Sequence, residues 1–479
     1  MGHRYQEIAG HLAQGIREGL LRPGERLPSL RDLCQREGTS LMTALAAYRH
    51  LEDLGLVEAL PRSGYRVLSA SVPLLQRPAI LRPRLTAFSH QRADIIAQVL
   101  TAMADPTLMP LGFGCPSPDL FPLGSLRRMT ANLLNAKPNL WVSYSTPPGC
   151  PELRRQIARR LQARGMDVSA DEVLLTTGAM EALTLSLRLL ASPGDLVAVE
   201  CPTFFGIVDA ARHAGAKVVE LPGDPEGGLE PERFASACER HAVSVVVLMP
   251  SFANPTGSLM SEERKRAWMK ALQTHGVAMV EDDVYGDLAW DGRKPTPLCA
   301  LPRKDGLPNL LVGSFSKSLL PGGRVGYVVA PSPWIERLTD LKNTSTLANA
   351  TLPEYLAAEC LASGLYDRHL RRLTSHLHTG VRALRDCIVR HFPCGTRVSD
   401  PRGGFLLWVE LPKESDGLAL FHAALKEGIS LAPGCLFSLG GGLDRFIRLN
   451  GGVTGDLDGA MATLGRLAAH PGMIARRPS

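Results

Sequence analysis

The chain has 479 residues, room for about three domains at roughly 150 residues each, and it can bury a core without disulfide or metal staples. Hydrophobic residues make up 45% and charged ones 21%, which excludes wholesale disorder. The 53 basic and 47 acidic residues leave +6, too mild a surplus to argue for a nucleic-acid partner on charge alone. The ten cysteines are scattered, with no CxxC pair and no Cys/His cluster at metal-ligand spacing. That pattern fits a reduced, cytoplasmic compartment and no metal. No apolar run approaches about 18 residues, so no membrane span is expected, and the polar stretch Met1–Gly10 has no signal-peptide core.

In chain order, Ile8, Leu12 and Ile16, with Ala9 and Ala13 beside them, mark the apolar face of a helix over residues 3–20, and Pro23-Gly24 breaks it. Ser29 ahead of Leu30-Arg31-Asp32 reads as a capping box with Asp in place of Glu. It opens a short helix to Glu37 that Gly38 ends. Ser40 caps a third helix with Leu41, Ala44, Leu45, Tyr48 and Leu51 on one face, closed by Gly55. Leu56–Ala59 and Tyr65–Leu68 read as short strands joined by the turn Pro61-Arg62-Ser63-Gly64. Three helices and a hairpin within 70 residues is the order of a winged helix-turn-helix. In such a unit the second helix of the pair enters the DNA major groove by its N-terminus. Ser40 and Thr43 can donate there to phosphates or base edges, whereas Leu41 and Met42 offer apolar contact, for instance to thymine methyls. Arg31 on the preceding helix and Arg62 on the wing are placed for phosphates. Residues 1–70 hold nine arginines and eight acidic residues, so charge does not decide between a DNA reader and a winged helix that binds protein or holds a dimer.

Residues 71–105 change character. Pro73, Pro78 and Pro83 interrupt them, and Arg77, Arg82, Arg84 and Arg92 outnumber Asp94 and Asp105, as in an interdomain linker that turns helical from about Asp94. From 106 onward the pattern is α/β. Short β-rich runs at Val173–Thr177, Leu196–Glu200, Lys217–Leu221, Val243–Pro250, Val277–Glu281, Leu310–Gly313 and Val325–Ala330 are separated by helical stretches such as Met180–Leu190 and Glu262–His275. This predicts a mostly parallel sheet wrapped by helices. Gly403–Leu411 and Phe446–Asn450 point to a smaller α+β domain. The expected organisation is a reader over 1–70, a linker over 71–105 and an α/β module over 106–479.

The front module resembles the GntR family of bacterial regulators. The match lies in Gly24-Glu25-Arg26-Leu27-Pro28-Ser29-Leu30-Arg31, in Ser40–Thr43, in Ala47-Tyr48, Leu51 and Gly55, and in Ser63-Gly64-Tyr65. The resemblance implies double-stranded promoter DNA as partner, contacted by Arg31, Ser40, Thr43 and Gly64. Family members often carry Arg in the recognition helix, where this chain has Leu41 and Met42.

In the rear module Ser314-Phe315-Ser316-Lys317 follows a strand and precedes Pro321-Gly322-Gly323-Arg324-Val325-Gly326. A lysine at the end of a buried strand suits a Schiff base, because burial lowers its pKa. Ser314 and Arg324 can clamp a phosphate. Asp282 or Asp283, ending a hydrophobic strand, can pair with a pyridine nitrogen. Tyr285, and Asn254 in Asn254-Pro255-Thr256-Gly257, can donate to a ring oxygen. Gly178-Ala179-Met180, between strand and helix, makes an anion seat, and Phe204 can stack on a ring. Each piece alone has a plainer reading as a turn, a helix cap or core.

Taken together and in order, they resemble fold type I pyridoxal phosphate enzymes of the aspartate aminotransferase group, over roughly residues 110–465. The resemblance implies pyridoxal 5'-phosphate held by Lys317 as internal aldimine. It pairs Asp282 with the ring nitrogen and sets Asn254 and Tyr285 on the phenolic oxygen. Gly178, Ala179, Met180, Ser314 and Arg324 would hold the phosphate, and Tyr144 would reach it across a dimer interface. Arg448, on a strand that sets Phe446, Arg448 and Asn450 on one face, would grip a substrate α-carboxylate. Asp283 receives no role beyond a cap.

A reader of the first kind fused to a module of the second is the plan of the MocR subfamily of regulators, which the whole chain resembles. The resemblance implies a homodimeric transcription factor, often head to tail, that answers an amino acid, an amine or the cofactor through chemistry at Lys317. The rival expectation is a working aminotransferase with an accessory reader, since every residue needed for transamination is present.

Overall fold

The computed structural model describes residues 4–17, 21, 24–53, 56–60, 64–68, 76–80 and 90–469. They fall into two compact units, Met1–Gln76 and Arg77–Ser479.

In the first unit, helix α1 (Arg4–Arg17) buries Ile8, Ala9, Ala13 and Ile16 in a core shared with Leu33 and with Ala44, Ala47, Tyr48 and Leu51. Helix α2 (Leu30–Glu37) is capped by Ser29, whose Oγ accepts the Asp32 amide at 3.2 Å. The reciprocal bond of a capping box is replaced here: the Ser29 hydroxyl donates to the Asp32 carboxylate at 2.7 Å. Asp is one methylene shorter than Glu and does not reach back to the cap amide. Gly38 ends α2 at φ 59°, in the left-handed region. Helix α3 (Leu41–Asp53) follows, and its Tyr48 hydroxyl donates to the Pro28 carbonyl at 2.7 Å. Strands β1 (Val57–Leu60) and β2 (Gly64–Val67) form an antiparallel hairpin in the register Val57↔Val67. Arg62 and Ser63 of the expected wing turn lie outside the described residues, as do Gly55, Pro73, Arg82, Pro83 and Arg84.

Residues 77 and 79 belong to the second unit, where Arg77 pairs with Glu226 and the Ala79 amide donates to Glu410 at 2.8 Å. Helix α4 (His90–Ala104) starts four residues ahead of the expected point. Its Arg92, read in the sequence as one of a run of linker charges, is buried, bonding Asp209 at 3.1 Å and the Leu436 carbonyl at 3.2 Å.

The second unit opens with a two-residue strand, β3 (Met109–Pro110), and with helices α5 (Leu123–Ala136) and α6 (Pro151–Gln162). Helices α7 (Ala179–Leu190) and α8 (Phe205–His213) then alternate with strands. The large sheet contains β4 (Val173–Thr176), β5 (Leu196–Cys201), β6 (Lys217–Asp224), β7 (Gly228–Leu229), β8 (Val243–Leu248), β9 (Ala278–Asp282), β10 (Asn309–Ser314) and β11 (Gly326–Val329), in the order β4-β11-β10-β9-β8-β5-β6-β7. Pairing is parallel from β10 through β9, β8 and β5 to β6, and antiparallel at β11 and β7. The valine-rich strands are apolar on both faces because each face carries a core. Val197, Val199, Val245 and Val247 enter one, and the alternate residues Ala198, Val246 and Leu248 enter the other. A four-stranded sheet makes the smaller domain, from β12 (Arg397–Val398), β13 (Leu406–Glu410), β15 (Ala432–Pro433) and β16 (Phe446–Asn450), in the order β12-β13-β16-β15. The short β14 (Ile429–Ser430) pairs with β3 instead. Among the described residues no helix is long and apolar enough to cross a membrane.

Candidate functional site

Parallel strands release their loops at one edge of a sheet, and that crevice is where open α/β folds bind ligands. Asp282 ends β9, Ser314 ends β10, Asn254 follows β8, Phe204 follows β5 and Gly178 follows β4, so the topology gathers residues far apart in sequence. A cavity of about 250 Å³ there is lined by Lys317, Asp282, Asn254, Tyr285, Phe204, Ala179, Met180, Ser314, Arg324 and Arg448. Lys317 is half-buried, and desolvation holds its amine below the ordinary range. Arg448 and Arg324 push the same way, while Cys115 and Asp282 oppose them. Burial pushes the Asp282 carboxyl up to about 7, with Asp283 and Glu281 adding to the shift and the Val284 amide and Lys317 resisting it.

Asp283 is more than a cap. It is buried in a two-pronged pair with Arg164 of the loop after α6, one bond being 2.9 Å. The sequence offered no signal for that partner, which lies 119 positions away. Arg448, read in the sequence as a carboxylate grip with a surface ion pair as the plainer option, is 2% exposed. It bonds Asn254 Oδ1 at 2.8 Å and the Gly112 carbonyl at 2.6 Å, and its Nε has no partner. Burial lowers its pKa to about 10. Asn254 Nδ2 also donates to the Tyr285 hydroxyl at 3.4 Å. Asn450, one alternation along β16, donates to the Cys115 carbonyl at 2.8 Å, so this strand fixes the 112–115 segment against the cavity.

At the other end Gly178 (φ 79°) opens α7, and Arg324 (φ 52°) lies across it. A Cβ at Gly178 would come within 2.9 Å of the Arg324 Cζ. The glycine is therefore required twice, by conformation and by the close guanidinium. Arg324 Nη1 donates to Ser316 Oγ at 3.1 Å, and Ser314 Oγ is engaged with Ser316 Oγ at 2.9 Å and the Val325 carbonyl at 3.1 Å. Ser316 thus joins the cluster, although sequence reasoning passed over it inside Ser-Phe-Ser-Lys. Leu100 of α4, Phe113 and Phe205, also unforeseen, make an apolar wall. Tyr144 is not in the cavity of its own chain, since its side chain is on the surface at 80% exposure.

These residues fit a phosphorylated pyridine aldehyde. Amides at a helix N-terminus beside a guanidinium suit a phosphate, a buried carboxylate suits a ring nitrogen, and a desolvated amine suits the aldehyde. Gly178→Ala is expected to displace Arg324 and weaken cofactor retention at least tenfold while leaving the thermal midpoint of the cofactor-free protein within a few degrees. Equilibrium dialysis and a thermal melt measure the two.

In the first unit Ser40 and Thr43 sit together at the start of α3, with Oγ···Oγ1 2.9 Å and the Thr43 amide donating to Ser40 Oγ at 3.2 Å. Arg31 is exposed on α2, and Gly64 (φ 84°) starts β2 with open space at its Cβ position.

Comparison with known proteins places both units. Residues 122–462 match the family Aminotransferase class I and II, and residues 4–67 match Bacterial regulatory proteins, gntR family. The HTH-type transcriptional regulator YdcR of Escherichia coli K12 is 36% identical over 450 residues, 93% of this chain and 94% of the relative. The 2-aminoadipate transaminase of Thermus thermophilus is 30% identical, covering 75% of this chain and 89% of the relative. The crystal structure of LysN, the α-aminoadipate aminotransferase of Thermus thermophilus, complexed with N-(5'-phosphopyridoxyl)-L-leucine, superposes with a TM-score of 0.73 at 28% identity, over 81% of this chain and 98% of that one. The cofactor of this fold is pyridoxal 5'-phosphate. The chain belongs to the aminotransferase class I and II family, in the MocR-type branch that joins this domain to a gntR-family DNA-binding domain.

Proposed function

We propose that the chain is a cytoplasmic, homodimeric transcription regulator that binds promoter DNA through residues 1–70 and senses an amino acid, an amine or the cofactor itself through residues 106–479 together with helix α4, whose Leu100 lines the cavity, the stretch from 71 to that helix being the connection. The observation that carries this reading is that a desolvated amine, a buried carboxylate and a buried guanidinium share one cavity in a chain that also has a gntR-family reader.

Pyridoxal phosphate supplies an aldehyde that condenses with amines and a ring that draws electrons. Lys317 would hold the aldehyde end, its desolvated amine being easier to deprotonate than a surface lysine. Asp282 would pair with the ring nitrogen, Asn254 and Tyr285 would donate to the ring oxygen, and Phe204 would stack on the ring. Gly178, Ala179, Met180, Ser314 and Arg324 would seat the phosphate, which Tyr144 would reach from the other protomer. Arg448 takes an effector carboxylate, which would replace the Asn254 and Gly112 oxygens it now bonds. Among the described lining residues the cations are Lys317, Arg324 and Arg448, and the wall beyond them is Leu100, Phe113 and Phe205. An effector with one carboxylate and an apolar side chain fits that wall. On the DNA side, Arg31 and Arg62 contact phosphates, with Ser40, Thr43 and Gly64 beside them.

The test measures operator affinity of the holoprotein at fixed salt with a panel of amino acids and amines. Apolar amino acids are expected to shift it and dicarboxylic ones to fail. Arg448→Ala is expected to raise the half-effective concentration of a carboxylated effector roughly 10–100-fold, the worth of a charge-assisted pair, and to leave simple amines unaffected. Turnover of an amino acid with a keto acid above about 1 s⁻¹, without sequence-selective DNA binding, would replace this reading with the enzyme.

A further inference from the structure

Helix α3 carries an end that its own core does not use. Ala44, Ala47, Tyr48 and Leu51 point inward and are buried, whereas Leu41 and Met42 on the first turn are 56% and 72% exposed. The polar residues beside them are largely committed. Ser40 Oγ accepts the Thr43 amide and shares a hydrogen bond with Thr43 Oγ1, so one hydroxyl proton of the pair is left to donate outward. Arg31 and Arg36 on α2 and Arg49 two turns along α3 are exposed, as is Asp32 on α2. An exposed apolar tip at the first turn of the helix that such units insert by its N-terminus, on a unit that matches the gntR family over residues 4–67, is complementary to a major groove. Thymine is the standard base that projects a methyl group there.

We propose that Leu41 and Met42 read thymine 5-methyl groups in the operator and thereby set its sequence, replacing polar base reading at the first turn of α3. The inference rests on the first unit being a DNA reader, and the experiment keeps the two failures apart.

An operator is selected from random duplexes with the full-length holoprotein. Each of its thymines is then replaced singly by uracil, which removes the methyl and keeps every hydrogen-bonding group. Affinity is measured by fluorescence anisotropy at one salt concentration. One or two positions are expected to lose about fourfold, the worth of one buried methyl-sized group, with the others unchanged. In Leu41→Ala or Met42→Ala the thymine and uracil duplexes are expected to bind alike. Both side chains are outside the core and alanine is the strongest helix former, so these variants retain the fold, which circular dichroism checks. A selected consensus with no uracil-sensitive thymine overturns the proposal, as does sensitivity that survives in both variants. Loss of self-association in the variants with thymine discrimination intact assigns the patch to a second copy of the chain and also overturns it. A selection that returns no consensus removes the DNA reader itself, and this inference with it.

Discussion

Lys317→Ala is expected to abolish the effector response while leaving the protein folded, dimeric and bound to its operator within about twofold of the unaltered affinity. The substitution deletes the one amine in the cavity. Its removal costs the fold little, because a desolvated amine held below its ordinary pKa by burial contributes no favourable solvation and lies close to two guanidinium groups. The variant still presents Gly178, Arg324 and Asp282, so it retains pyridoxal phosphate non-covalently, and borohydride no longer fixes the cofactor to the chain. In the unaltered protein an effector that prefers one conformation by ~100-fold supplies about 2.7 kcal/mol of coupling to the reader. In the variant there is no lysine to displace, so an effector that acts by displacing it no longer distinguishes the two states and shifts neither. An undiminished response in Lys317→Ala would show that chemistry at this amine is not the switch. A response to cofactor addition alone, with none to amino acids, would make the chain a cofactor-level sensor.

Asp282→Asn is expected to act in opposite directions on the empty and the loaded protein. In the cofactor-free chain burial raises the carboxyl to about 7 from its ordinary 3.8. Between those values the folded state holds a proton that the unfolded state has released. Stability therefore falls as pH rises from about 4 to about 7, by on the order of a few kcal/mol. Asparagine has no proton to lose, so the variant is expected to melt higher than the unaltered cofactor-free protein at pH 8 and to exceed it by a clearly smaller margin near pH 5. With cofactor the order reverses. The carboxylate is the charged partner of a protonated ring nitrogen, and an amide forfeits roughly 1.5–3 kcal/mol of that pairing, or about 10–100-fold in retention. Melts at the two pH values with and without pyridoxal phosphate test both halves. Equal pH slopes for the two proteins would mean that the Asp282 carboxyl is not the titrating group.

The elements were more legible than the contacts. Phe446–Asn450 and Glu262–His275 stand where periodicity put them, because period-2 and period-3.6 burial are written in consecutive residues. Strand ends moved by a residue or two, as with Val57–Leu60 in place of Leu56–Ala59, since hydrogen-bonding to a neighbour and not composition decides where a ladder stops. Gly228–Leu229 and Met109–Pro110 are too short to carry any period. Ser316 was hidden for another reason: a serine beside the lysine reads as spacing until Arg324 is seen to bond it.

Local order along the chain was enough to mark two modules, the cofactor of the second and a candidate amine, because capping residues, apolar periods and motifs such as Ser-Phe-Ser-Lys act over a handful of neighbouring positions. Folding in three dimensions alone decided what each charge meets. Asp283 finds Arg164, Arg92 leaves the linker charges to bond Asp209, and Arg448 is buried against Asn254 and Gly112 with no carboxylate beside it. Burial and partnership depend on residues 100 or more positions away, and the free energy of a charge is set by that surrounding and not by its neighbours in the chain.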